Sequence, residues 1–247
     1  RKTITMSEKV KLFIGTSANG EDALIEMAYE YTLRKNSDRD IDIVWMRKTN
    51  DEASFWHGFA DENWSTPFSG FRWAIPEYCN YEGRAIYTDV DMLNFSDIGE
   101  LFDMDMGDKW VLARDGKRFG GKEFCVMVFD CEKFKGTVPP VVQWKGVPSA
   151  HHQFINEFVA NSGALVGDLD PAWNSHDGDI IPFKQLHFTH MPTQPWEPSW
   201  FTGEIERHPN ENFIDLFHNA VECAQAVGYT IEDYAGEGGV EYGIIGK

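Results

Sequence analysis

The sequence is poor in basic residues. Its 247 residues include 22 lysines and arginines against 40 aspartates and glutamates, a formal net charge of −18. Such an acidic surface repels phosphate backbones and anionic lipid headgroups, which argues against nucleic acid or a membrane surface as a partner. A diphosphate would bind most easily through a divalent cation held between its phosphates and protein carboxylates.

Cysteine is also scarce, and long apolar runs are missing. The four cysteines have no spacing typical of metal ligands, and three of them lie in apolar segments; they are Cys79, Cys125, Cys131 and Cys223. This usage predicts buried, reduced thiols in a cytoplasmic protein. The sequence contains no run of about 18 apolar residues, so it predicts no membrane span. The N-terminus lacks the apolar core of a signal peptide.

The chain has no internal repeat or low-complexity tract, and its 42% apolar content is enough for one sizeable core. We expect a single α/β domain over residues 6–247. Residues 1–5 are interpreted as an expression remnant or a trimmed leader. The Gly-rich residues 236–247 are predicted to form a mobile tail.

The pattern of apolar residues predicts an α/β sheet. Residues 10–16 and 41–46 read as buried strands, and residues 21–35 between them repeat apolar side chains at helical spacing. Strand, helix and strand in this order are typical of a parallel sheet. Further along, the sequence predicts a loop over 51–66 that either covers a pocket or is a surface excursion, helices over 68–78, 98–102, 149–161 and 213–227, and strands over 110–113 and 124–129.

Two carboxylates follow the central strand. The apolar run that ends at Tyr87 is followed by Asp89 and Asp91. In open α/β sheets, ligands bind beyond the carboxyl ends of the strands, so this is a candidate site. An isolated Asp-x-Asp pair is more often a loop or a helix cap, and the motif gains weight only from the segments around it.

Several segments, taken in order, resemble retaining GT-A glycosyltransferases of family 8, the glycogenin and bacterial galactosyltransferase type. They cover roughly residues 10 to 227. They are FRWAIPE at 71–77, RAIYTDVDML at 84–93, IGELF at 98–102, FCVMVFD at 124–130, HFT at 187–189 and QPW at 194–196. The resemblance implies a Rossmann-like GT-A fold with a mixed, mostly parallel sheet flanked by helices.

The resemblance also implies an activity. It is the transfer of a hexose from a nucleotide sugar, UDP-linked, to an acceptor hydroxyl with retention of configuration. The cofactor is Mn²⁺ or Mg²⁺, which stabilises the departing diphosphate as a Lewis acid. The acceptor can be a glycan, a lipid-linked molecule or a protein, and a homo-oligomer is left open.

Residue roles follow from the same resemblance. Asp89, Asp91 and His187 are the expected metal ligands, and Asp89 also lies near the ribose. Arg72 faces the sugar or the phosphates, or else forms an ion pair with a neighbouring carboxylate. The residues expected to line the nucleoside pocket follow the first strand and are Thr16, Ser17, Asn19 and Asp22.

The sequence departs from the family at three positions. Where the family has Asp-Gln, this chain has no Asp and Gln153 is displaced by one residue, which leaves the group on the reacting face of the sugar undecided. His190 replaces a glycine that approaches a phosphate, and Gln194 replaces a phosphate-binding lysine. Lys184 or His190 is a candidate to compensate for that lost charge.

The acceptor side is interpreted from composition alone. Trp173 and Trp196 are either sugar-stacking residues or core residues, and nearby carboxylates at Asp168, Asp170 and Asp177 are unranked. Two other functions stay open. A catalytically idle sugar-nucleotide or glycan-binding protein would explain the changed positions, whereas a metal-dependent nucleotidyltransferase would need a basic, Gly-rich loop that the residues after the first strand lack.

Overall fold

The structure is a computed structural model that describes residues 8–18, 20–60, 66, 68–116, 121–147, 165–179, 182–196 and 201–234. Its main feature is a six-stranded sheet in the order β2-β1-β3-β6-β5-β7. The strands are β1 Val10–Gly15, β2 Ile41–Met46, β3 Arg84–Asp89, β5 Val111–Asp115, β6 Lys122–Asp130 and β7 Val166–Asp168. The pairs β1–β2, β1–β3 and β5–β7 are parallel, and β6 runs antiparallel to both of its neighbours.

A second, three-stranded sheet has the order β4-β9-β8. Its strands are β4 Met92–Asn94, β8 Ser175–His176 and β9 Gln185–His187. β4 follows β3 after two residues and pairs antiparallel with β9. The small sheet therefore continues directly from the end of the central strand.

The described residues form four α-helices. They are α1 Ala23–Lys35, α2 Ile75–Tyr78, α3 Ile98–Phe102 and α4 Glu211–Ala226. Asn210 begins α4 by accepting a hydrogen bond from the Asn212 amide at 3.1 Å, and α4 buries Ile214, Phe217 and Val221 at spacings of three and four residues. Helices α1 and α4 pack against each other. Among the described residues, no helix combines the length and apolarity that crossing a bilayer requires.

Two sequence predictions need correction. The helix expected over 68–78 is a 3-10 turn, Phe71–Ala74, followed by the short α2. The reason is Pro76, which has no N–H to donate to residue 72 and so interrupts a continuous α-helical ladder. The central strand extends past Tyr87 to Asp89, because Asp89 still pairs with Gly15 of β1.

The predicted loop over 51–66 is partly described. Its residues 51–60 pack an aromatic cluster against the segment that carries Arg72: Trp56 and Phe59 are 7% and 5% exposed, and both contact Phe71. The described part is therefore a packed support for that segment. The helix predicted over 149–161 lies outside the described residues, as do residues 1–7 and 235–247.

Candidate active site

The topology brings three strand ends to one edge of the main sheet. β1 and β3 are parallel, so their carboxyl ends meet there and Gly15 lies opposite Asp89. β6 is antiparallel to β3 with Thr88 opposite Val126, so the amino end of β6 reaches the same edge. This places Cys125, the residue before Val126, beside Asp89.

The small sheet brings a histidine from a distant part of the chain to the same place. Met92, the residue after Asp91, pairs with His187. The Phe188 amide also donates to the Asp91 carbonyl at 2.9 Å. As a result, His187 Nε2 lies 3.1 Å from Asp91 Oδ1.

Asp89 is held by two neighbours. Arg72 Nη2 donates to its Oδ1 at 3.2 Å, and the Tyr87 hydroxyl donates to the same oxygen. Burial raises the pKa of the Asp89 carboxyl, and the Arg72 guanidinium opposes that rise. Arg72 itself is fixed by a 2.5 Å bond from Nη1 to the Phe124 carbonyl and by stacking over the Tyr87 ring. The alternative in which Arg72 pairs with a carboxylate therefore holds in this structure.

His187 has a defined orientation. Its Nδ1 lies 2.8 Å from Asn174 Oδ1, an acceptor, so Nδ1 carries a proton and donates. Burial lowers the pKa of His187, but the carboxylates of Asp91, Asp89 and Asp177 together outweigh burial and the net pKa is raised. In metal sites a ligating histidine generally donates its other ring N–H to such an oxygen, which fixes the ligating nitrogen.

The donor set fits a divalent cation. One ligand atom each from Asp89, Cys125 and His187 lie within 4.8 Å of one another. Asp91 Oδ1 is buried and contacts His187 Nε2 at 3.1 Å. Carboxylate oxygens together with an imidazole suit Mn²⁺ as well as softer divalent ions. Of the predicted trio, Asp89 and His187 belong to this group, in which Cys125 is the third member, and Asp91 adjoins it through the 3.1 Å contact with His187 Nε2.

The residues expected around the nucleoside lie next to this edge. Thr16 and Ser17 follow β1, Asp22 precedes α1, and all three are buried. Thr16 donates to Glu26 at 2.5 Å, and the Ser17 hydroxyl donates to Asp22. Their side chains hold the turn before α1 together in this structure. Asn19 and Gln153, also predicted site residues, lie outside the described part of the chain.

Gln194 and His190 occupy different environments. Gln194 is 3% exposed, and its amide nitrogen donates to Asp91 Oδ2 at 3.0 Å and to the Phe188 carbonyl at 2.8 Å. It therefore orients Asp91 from the side opposite His187. His190 is exposed, and its Nδ1 lies 3.3 Å from the Thr193 hydroxyl.

The residues considered for the acceptor side are engaged elsewhere. Trp173 and Trp196 are each 1% exposed and belong to the core. Asp177 bonds Thr189 and His208. Lys184 pairs with Glu100 at 2.8 Å and lies over the Trp173 ring. In this structure it therefore does not serve as a replacement phosphate ligand.

Sequence reasoning missed three residues of the site: Tyr87, Cys125 and Asn174. In the sequence, Tyr87 and Cys125 lie within apolar runs that predict buried strands. Asn174 is the last residue of the 3-10 helix Pro171–Asn174. Strand alternation was the available signal for Tyr87, because it places Tyr87 and Asp89 on the same face.

Comparisons with known proteins bear on the fold. No family model matches the sequence, and no curated protein matches it either. Solved structures do match. The galactosyltransferase LgtC in complex with donor and acceptor sugar analogs has a TM-score of 0.61 at 13% identity, over 91% of this chain and 99% of LgtC.

Two longer proteins match as well. The glycosyltransferase GlyE of Streptococcus pneumoniae TIGR4 has a TM-score of 0.58 at 14% identity over 92% of this chain. The apo structure of WbbM, a bifunctional glycosyltransferase, has a TM-score of 0.55 at 14% identity over 89%. This chain spans 66% of GlyE and 50% of WbbM. These similarities define the fold as the GT-A fold, as the sequence predicted.

Proposed function

We propose that this protein is a metal-dependent glycosyltransferase that moves a hexose from a nucleotide sugar, UDP-linked, to an acceptor hydroxyl with retention of configuration. The observation that carries the proposal lies at the carboxyl end of the central strand of a GT-A sheet. There Asp89 and His187 have ligand atoms within 4.8 Å of each other, and Asp91 Oδ1 lies 3.1 Å from His187 Nε2. Ligands of open α/β sheets bind at this edge. Retention and the UDP donor rest on the resemblance to family 8 alone.

The cation would be held by Asp89, Asp91 and His187. When bound, Mn²⁺ or Mg²⁺ supplies Lewis-acid stabilisation of the departing diphosphate. The chain's own contribution is to orient these three ligands before the donor arrives. Tyr87 orients Asp89, Gln194 orients Asp91 and Asn174 orients His187. Such preorganisation lowers the barrier because the ligands need not reorganise during the reaction.

Arg72 is the positive side chain of this site. It is 8% exposed and is fixed between Asp89 and the Phe124 carbonyl. Its guanidinium has a fixed charge and the planar donors that suit phosphate or sugar oxygens. We assign it to the donor side, where it partly offsets the loss of the family's lysine at Gln194.

The test is calorimetric titration of UDP with and without Mn²⁺. We expect UDP to bind only when Mn²⁺ is present. In Asp91→Asn we expect Mn²⁺ no longer to promote UDP binding. Asp108→Asn is the matched control, because the Asp108 side chain is 84% exposed and contacts Lys109. UDP release from a set of UDP-hexoses then tests turnover, and the anomeric configuration of the product tests retention.

A second candidate function follows from Gln194. A neutral amide bonded to Asp91 replaces the lysine of the resembling family, so the leaving group loses one cation. A sugar-nucleotide-binding protein without turnover fits this change. Metal-dependent UDP binding with no turnover of any donor would identify this function, and turnover of one donor would exclude it.

A further inference from the structure

Cys125 faces the polar site although its strand is apolar. The neighbouring Phe124 and Val126 are 2% and 0% exposed and belong to the core. The Cys125 thiol instead contacts the Asp89 carboxylate and the Arg72 guanidinium. By contrast, Cys79 and Cys131 are buried and contact each other. The Sγ atom of Cys125 is therefore directed at the candidate cation position.

Its distance from the other ligand atoms suits a shared ion. Cys125 Sγ, an Asp89 oxygen and a His187 nitrogen lie within 4.8 Å of one another. Bonds to zinc are about 2.0–2.3 Å long, so two ligand atoms of one tetrahedral ion lie about 3.3–3.8 Å apart. The three atoms would have to approach one another by about 1.5 Å at most to share one coordination sphere.

We propose that Cys125 is a protein ligand of the cation and that this site takes a borderline-soft divalent ion such as Zn²⁺ or Co²⁺ in preference to Mg²⁺. The proposal rests on the metal centre of the proposed function and specifies its chemistry. Thiolate ligands favour such ions, whereas Mg²⁺ prefers oxygen ligands. On binding, the S–H bond breaks, an S–metal bond forms and the proton leaves to solvent, with no change of oxidation state.

Cobalt spectroscopy tests this ligation without using activity. The full chain is titrated with Co²⁺, and two kinds of band are followed. Visible d–d bands report Co²⁺ bound by any ligands, while a near-ultraviolet sulfur-to-cobalt charge-transfer band reports a Co–S bond. We expect both to saturate together in the wild type. In Cys125→Ser the charge-transfer band should disappear while the d–d bands remain.

The affinities of the variants for Zn²⁺ and Mg²⁺ test the preference of the site for softer ions. Loss of a residue that only orients a metal ligand weakens metal binding roughly 10- to 100-fold, so removing the ligand Cys125 should weaken Zn²⁺ binding by at least this factor. Mg²⁺ binding should change much less. The control is Cys223→Ser, which removes a partly exposed thiol on α4 and should keep the charge-transfer band.

Each outcome is decisive. A d–d spectrum without a charge-transfer band in the wild type overturns ligation by Cys125 and leaves the proposed metal centre standing. Absence of both band types overturns the metal centre as well. If Cys125→Ser does not fold, alkylation of the wild type decides: Zn²⁺ but not Mg²⁺ should protect Cys125 from iodoacetamide, with Cys223 as internal reference, and equal labelling with and without Zn²⁺ overturns the proposal.

Discussion

His187 Nε2 and Asp91 Oδ1 face each other at 3.1 Å, and the Asn174 amide oxygen holds the opposite ring nitrogen of the same histidine at 2.8 Å. Both ring nitrogens are therefore directed at oxygens. Because its pKa is raised, His187 keeps protons on both nitrogens up to a higher pH than a free imidazole. While it is present, the proton on Nε2 occupies the direction from which a cation would be bound.

Metal binding should therefore release a proton. A ligating imidazole must be neutral at the ligating nitrogen, so a cation displaces the Nε2 proton when pH lies below the raised pKa of His187. We expect apparent Mn²⁺ affinity to fall as pH decreases through that pKa and to level off above it. Calorimetry in buffers of different ionisation enthalpy counts the released protons. Affinity that does not change between pH 5.5 and 8 would contradict this account.

Asn174 should act through His187. Asn174→Ala removes the oxygen that orients the ring. We expect it to weaken Mn²⁺ binding roughly 10- to 100-fold, as the loss of a residue that orients a metal ligand generally does. Asn174→Asp is the matched variant, because it keeps an acceptor for the Nδ1 proton and should retain most of the affinity. Electron paramagnetic resonance of free Mn²⁺ measures both constants. Equal weakening by both substitutions would mean that the amide is required only for packing.

The sequence allowed the prediction of this site where the signal is local. Asp89 and Asp91 follow an apolar strand, and Arg72 lies on a helical segment that leads to the same edge. The prediction of His187 as a ligand rested on the family resemblance, because the approach of His187 to Asp91 depends on the pairing of Met92 with His187 across the small sheet. Such long-range pairing leaves no local pattern in the sequence.

Other features depend on register and partners. In FCVMVF every residue is apolar or sulfur-containing, so no alternation reveals which side chains face the site. The antiparallel pairing of Thr88 with Val126 decides that Cys125 does. Gln194 was expected at a phosphate, but its amide is buried against Asp91, because the short chain segment from His187 to Trp196 folds back over that carboxylate.

Gly15 should be indispensable to the position of Tyr87. A Cβ at residue 15 would lie 2.7 Å from the Tyr87 hydroxyl oxygen and 2.8 Å from Phe68 Cδ2, inside the contact distance of both. Because Tyr87 is fully buried, Gly15→Ala should cost about 1–3 kcal/mol, the usual range for overpacking. Urea unfolding measures the loss.

Two variants isolate the cause of that loss. Gly178→Ala is the control, since no atom of the described residues lies within 4 Å of a Cβ there, and it should leave stability unchanged within about 0.5 kcal/mol. Tyr87→Phe removes the hydroxyl that Gly15→Ala would displace. Combined with Gly15→Ala, it should recover part of the lost stability, and a strictly additive double variant would rule out this contact as the cause.

Glu26 should make the fold less stable as pH rises. It lies on α1 with no exposed surface, accepts a hydrogen bond from Thr16 and pairs with Arg47. Burial raises its pKa from 4.5 to about 7, despite the Arg47 guanidinium. Between these two values the folded state binds more protons than the unfolded state, so stability decreases as pH increases.

The cost of ionising Glu26 is fully present above pH 7 and absent below about pH 4.5, and it amounts to about 3 kcal/mol. Glu26→Gln keeps the side chain neutral, so its stability loss between pH 5 and 8 should be smaller than that of the wild type by about this amount. Urea unfolding at several pH values measures the difference. Glu222→Gln changes an exposed residue of α4 and should retain the wild-type pH dependence. If Glu26→Gln also retained it, Arg47 would have to compensate fully for burial, and Glu26 would be ionised throughout the range.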